Sequence, residues 1–97
     1  MLTIDEIKKA VSQVGRKYNI RSAYLFGSYA KNQADEYSDI DLYVDSGLKG
    51  LRFVGFVESI RQALGGRDVD IIDKSHVSKN SKVMTEISET GVLVYAR

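Results

Sequence analysis

Residues Ser38 to Asp45 alternate with a period of two: Ile40, Leu42 and Val44 fall on one face of an extended segment, Asp39, Asp41 and Tyr43 on the other. Side chains of a strand point alternately to opposite faces, so this run predicts a strand with a buried aliphatic face and two carboxylates projecting together from the other. Such a strand needs apolar helices to lie on. Thr3 and Glu6 form a capping-box pattern, and Ile4, Ile7, Val11, Val14 and Tyr18 recur at helical spacing, which predicts an amphipathic helix over residues 4–18. Phe53, Phe56, Val57, Ile60 and Leu64 trace a second helical stripe ending at Gly65-Gly66. Leu51 and Val54 fall off that stripe and are expected to widen its buried face rather than mark a partner-binding surface. A last helix through Val83, Met84 and Ile87 is expected to stop near Thr90-Gly91.

Three more short strands are predicted: Ser22 to Phe26, Val69 to Ile72 around Asp70, and Val92 to Tyr95. The first stops at Gly27-Ser28, a breaker pair expected to make a tight turn and open a short helix. Helices alternating with short strands imply an α/β (α+β) layered domain, with helices packed against a small β-sheet whose strands the order alone leaves parallel or mixed. At 97 residues and 43% hydrophobic, one domain spanning residues 1–97 is expected.

Charge and composition exclude several functions. Fourteen basic against thirteen acidic residues leave a formal charge of +1, too little for the strong, salt-dependent phosphate attraction of a general nucleic-acid binder. With no Cys there is neither a disulfide framework nor cysteine-ligated zinc. Early acids and no long apolar run predict no signal peptide or membrane span, and a cytoplasmic location.

Chemistry concentrates between Gly27 and Leu42. Asp39 and Asp41 share a strand face and repel one another, a placement that a proton or a hard divalent cation such as magnesium neutralises. Gly27 allows a sharp turn and close approach of an anion to backbone amides, and Ser28 adds a hydroxyl donor. A helix opening there would direct its free N–H groups at phosphate oxygens. Asp70 offers a third carboxylate from another strand, and a three-acid site can hold two metal ions roughly 3.5–4 Å apart. Alone, a Gly-Ser pair is ordinarily a turn and an Asp-x-Asp strand ordinarily a solvated edge. Found together in this order, they point to a nucleotide and its metal.

Gly27-Ser28, ten residues, then Asp39-Ile40-Asp41 resembles the Gly-Ser-x10-Asp-x-Asp signature of the DNA polymerase β-like nucleotidyltransferase superfamily. The short chain, with Tyr29-Ala30-Lys31 and Ser38 to Leu42 around the signature, is similar to the minimal, antitoxin-type members. The resemblance implies a small mixed sheet and a magnesium-dependent enzyme that transfers AMP from ATP to a hydroxyl. Carried over by position, Gly27 and Ser28 would bind the triphosphate, and Asp39 and Asp41 would ligate magnesium. Asp70 would be the third carboxylate, ligating metal and assisting acceptor deprotonation; Asp68 competes for that role, and Asp70 is preferred for its β-branched neighbours Val69 and Ile71. One departure is Lys31-Asn32, where members commonly have a basic residue and then Gly; Asn tolerates left-handed backbone geometry better than most residues.

Minimal members of this kind are often paired with a HEPN-domain ribonuclease toxin, and some attach AMP to a toxin tyrosine, so the resemblance implies such a partner. Two other readings stay open: a non-catalytic module that neutralises the toxin by occlusion, and a stand-alone enzyme acting on a small-molecule or nucleic-acid hydroxyl. His76 is expected in a cap or on the surface, and Tyr43 in packing. Lys31 and Lys74 are expected to be solvated, while Arg52, Arg61 and Arg67 could form a surface for an acidic partner, which their spacing does not decide.

Overall fold

Four strands and three α-helices make up the computed structural model, which describes residues 1–97. Helix α1 (Ile4–Tyr18) begins where Thr3 accepts from the Glu6 amide while the Glu6 side chain accepts from the Thr3 amide, so two otherwise orphaned donors are satisfied. It ends at Asn19, whose left-handed backbone (φ 55°) stops the helical run. Its apolar stripe buries Ile7, Val11 and Val14. Gly15 lets the helix sit close on the sheet: a Cβ there would lie 3.0 Å from the Tyr95 ring.

Strand β1 (Ser22–Phe26) pairs antiparallel with β2 (Ile40–Asp45), and Leu25 opposite Leu42 and Ala23 opposite Val44 build the aliphatic face foreseen from the alternation. Helix α2 (Leu51–Ala63) then crosses over, and β3 (Val69–Asp73) returns parallel to β2. A short 3-10 turn (Lys74–His76) and α3 (Lys82–Thr90) lead to β4 (Val92–Ala96), antiparallel to the far side of β1. The sheet is therefore mixed, in the order β3-β2-β1-β4. Ile7, Val11, Leu25, Ile40, Leu42, Val44, Phe56 and Ile60 are wholly buried between the sheet and α1 and α2. No helix is long and apolar enough to cross a membrane.

Two expectations are corrected. No helix follows Gly27-Ser28; residues 27–32 form one turn, closed by Lys31 N–H to Gly27 O at 3.1 Å, Asn32 N–H to Tyr29 O at 3.3 Å and Gln33 N–H to Ser28 O at 2.9 Å. Asn32 adopts φ 57°, and that left-handed step stops propagation after one turn. Leu51 and Val54 do not widen the α2 core face, being 89% and 60% exposed. The helix rests on α1 and β3 along one stripe, of which Phe56 and Ile60 are buried, and Leu51 and Val54 lie off that stripe on its exposed side.

Asp73, at the end of β3, is 6% exposed and satisfied on both carboxylate oxygens. Its Oδ1 accepts from the Ser46 amide (3.1 Å) and hydroxyl (2.6 Å), and its Oδ2 from the Ser75 amide (3.0 Å) and hydroxyl (2.6 Å). Burial acts to push its pKa up, but these donors outweigh burial and hold it below the usual carboxylate range. Asp73 thus ties the loop after β2 to the turn after β3 and keeps the parallel pair in register. Replacing Asp73 with Ala should cost about 1–3 kcal/mol in urea unfolding, because four donors lose their acceptor. A carboxyl with a depressed folded pKa contributes stability above its unfolded pKa and loses it as pH falls through the folded one, so the difference between parent and variant should shrink on acidification.

Candidate active site

The Gly27-Ser28 turn and the acids of β2 and β3 meet because the β1–β2 register sets Phe26, the last residue of β1, opposite Asp41. Gly27 therefore leaves the sheet against the Asp41 side chain, with φ 75°. A Cβ at this position would overlap the Asp41 Oδ2 atom, so both the backbone angle and the contact require glycine. The Tyr29 ring is buried at 4% exposure and anchors the turn in the core. The backbone N–H groups of Ser28, Tyr29 and Ala30 donate to no acceptor in the chain. Successive free amides in a turn form a concavity suited to an anion, so the free N–H groups expected of a helix end are presented by a turn instead.

Parallel pairing sets Asp41 of β2 beside Asp70 of β3 on the same sheet face. Asp39 is exposed, just before β2 begins. Asp68 lies before β3, where its carbonyl accepts from the Ile40 amide at 3.2 Å. Asp70, not Asp68, shares a cleft with Asp41 and Gly27. The cleft encloses about 560 Å³ and is closed on one side by Phe53, Val57 and Arg61 of α2 and on another by Glu86 of α3. Lys31 is not simply solvated: its ammonium pairs with Glu86 at 3.0 Å. Lys74 lies 3.8 Å from Asp45, His76 is exposed at the end of the 3-10 turn, and Tyr43 packs near Tyr24 at 6.5 Å between ring centroids.

Burial raises the Asp41 pKa to about 6, with Asp70, Asp39 and Glu86 adding like-charge repulsion. No three acidic or histidine side chains enclose a common cation position in this arrangement. An all-carboxylate donor set with surplus negative charge nonetheless fits magnesium, which is commonly held by one or two protein carboxylates and completes its shell with substrate phosphates and water. Glu86 was not singled out from the sequence, and Arg61 was considered only for a surface facing an acidic partner. Phe53 and Val57 were read simply as core, whereas both are half-buried and line the cleft.

Free amides facing mutually repelling carboxylates across a glycine suit a polyphosphate gripped through a cation, the requirement of an enzyme that transfers nucleotides. The sequence matches the family described as Polymerase beta, Nucleotidyltransferase over residues 6–97, and the chain belongs to that family. Protein adenylyltransferase MntA of Thermococcus cleftensis is 33% identical over 81 residues, covering 77% of this chain and 81% of the relative. A Methanocaldococcus jannaschii protein provisionally named a protein adenylyltransferase is 32% identical over 103 residues, covering 97% of this chain and 100% of its own length. A crystal structure of a toxin–antitoxin with AMP-PNP matches with a TM-score of 0.75 at 22% identity, over 93% of this chain and 73% of that one. The tri-AMPylated Shewanella oneidensis HEPN toxin in complex with MNT antitoxin matches with a TM-score of 0.67 at 21% identity, over 94% and 71%. At these identities the structural likeness speaks to the fold, and the fold is the polymerase β-like one.

Two outcomes follow from this geometry. Gly27→Ala should lower the melting temperature, since the left-handed angle alone costs about 1–2 kcal/mol, and should abolish nucleotide transfer by displacing Asp41. Asp41→Asn should stabilise the chelator-treated protein. A carboxyl whose folded pKa lies near 6, against an ordinary 3.8, loses stability as pH rises through that window, so the gain in melting temperature should be full above about pH 6 and vanish below pH 3.8.

Proposed function

We propose that this chain transfers AMP from ATP, with magnesium, to a tyrosine hydroxyl of a HEPN-type ribonuclease toxin, and so acts as its antitoxin. The observation that carries the reading is the contact of the Gly27 turn with Asp41, which brings free amides and a half-buried carboxylate together at one end of the cleft. Relatives about one-third identical are named protein adenylyltransferases, which supports AMP as the transferred group and protein as the acceptor.

In this reading Gly27 and Ser28 hold the triphosphate through backbone N–H groups and the Ser28 hydroxyl, with its leaving end toward β1. Asp39, Asp41 and Asp70 are the metal ligands, Asp39 joining by a side-chain rotation from its exposed position. Magnesium held there would offset charge on the transferring phosphorus and on the departing pyrophosphate. Asp70, exposed at the cleft edge, accepts the proton of the acceptor hydroxyl as the new oxygen–phosphorus bond forms and the bond to pyrophosphate breaks.

Incubated with ATP, magnesium and the product of the neighbouring gene, the protein should add AMP to a tyrosine of that product, seen by mass spectrometry. The addition should stop with a chelator and in the Asp39→Asn, Asp41→Asn double variant. If the double variant protects cells from the toxin as well as the parent does, neutralisation is by occlusion and the enzymatic reading fails.

A further inference from the structure

Resting on that reading, we infer that Phe53, Val57 and Arg61 form the acceptor wall of the cleft and select an aromatic over an aliphatic hydroxyl. Nucleotidyl transfer displaces pyrophosphate in line, so attacking and leaving oxygens lie on opposite sides of the transferring phosphorus. The sheet order translates this into position. The amide-lined turn lies at the end of β1, Asp41 is on β2, and Asp70 is on β3, the outermost strand. With the leaving end at the turn, the acceptor oxygen arrives from the β3 side, at the sheet edge that the α2 stripe lines. Phe53, Val57 and Arg61 are spaced four residues apart and so share one stripe, which runs beside the Phe56–Ile60 stripe that α2 buries in the core and whose Phe53 and Val57 also pack on that core. Phe53 and Val57 are half-buried, leaving apolar surface for a ring. Arg61 is exposed and enters none of the chain's ion pairs, so its guanidinium is free to stack on an aromatic face.

The test uses the full chain, a fluorescent ATP analogue, and two synthetic peptides that differ only in Tyr or Ser at the reacting position. The parent should label the tyrosine peptide at least about tenfold better in kcat/KM. Arg61→Ala, a change at an exposed position, and Phe53→Leu should each lower that kcat/KM about tenfold, chiefly through peptide KM, while nucleotide Kd stays within about twofold. Weakened nucleotide binding with unchanged peptide KM would assign the stripe to the base and overturn the inference. Equal labelling of both peptides, or labelling of neither by a parent that binds Mg–ATP, would overturn it too. A parent that binds no Mg–ATP defeats the underlying reading first, and this one with it.

Discussion

The approach of the Gly27 backbone to the Asp41 carboxylate is the constraint on which the site depends. It is a consequence of strand register: Phe26 pairs with Asp41, so the chain that leaves β1 has no path except across that side chain. A one-residue slip would turn Asp41 into the aliphatic core and Leu42 into the cleft. The buried ladder of Ala23, Leu25, Leu42 and Val44 prevents the slip, so the hydrophobic core and the proposed reaction centre are secured by the same pairing.

The second acid arrives by a different route. Asp70 stands beside Asp41 only because β3 runs parallel to β2, and parallel neighbours require a crossover, here α2. The crossover helix therefore does two things at once. Its Phe56 and Ile60 seal the core, and its Phe53, Val57 and Arg61 become a wall of the cleft. At the other end of β3, Asp73 is held by Ser46 and Ser75, which fixes the strand from the end remote from Asp70.

Electrostatics set the site apart from the rest of the fold. Asp73 and Asp41 are both acids drawn out of water, yet their pKa values move in opposite directions. Hydrogen-bond donors around Asp73 favour its ionised form and make it structural. Asp41 has no such donors and faces other acids, so the folded chain carries unrelieved negative charge where the proposed reaction would place a cation and a polyphosphate. That is how a functional centre is expected to differ from a structural one: stability is given up where binding will recover it.

Much of this was legible in the residues, because local rules govern it. The α1 capping box, the alternation of β2, the α2 stripe of Phe56 and Ile60 and the glycine at position 27 each follow from neighbours a few residues away, and each appears where periodicity and turn chemistry put it. The helix expected after Ser28 did not form, since one left-handed residue, Asn32, outweighs the breaker-pair signal. The burial expected of Leu51 and Val54 failed because periodicity reports which residues share a helix face, not how far the supporting surface extends beneath it. What only the tertiary structure decided is long-range: the parallel pairing that gives Asp41 the neighbour Asp70, the entry of Glu86 from α3, and the division of α2 into a core face and a cleft face. Sequence spacing encodes contacts within an element, whereas these depend on which elements become neighbours, and that is settled by the packing of the whole core.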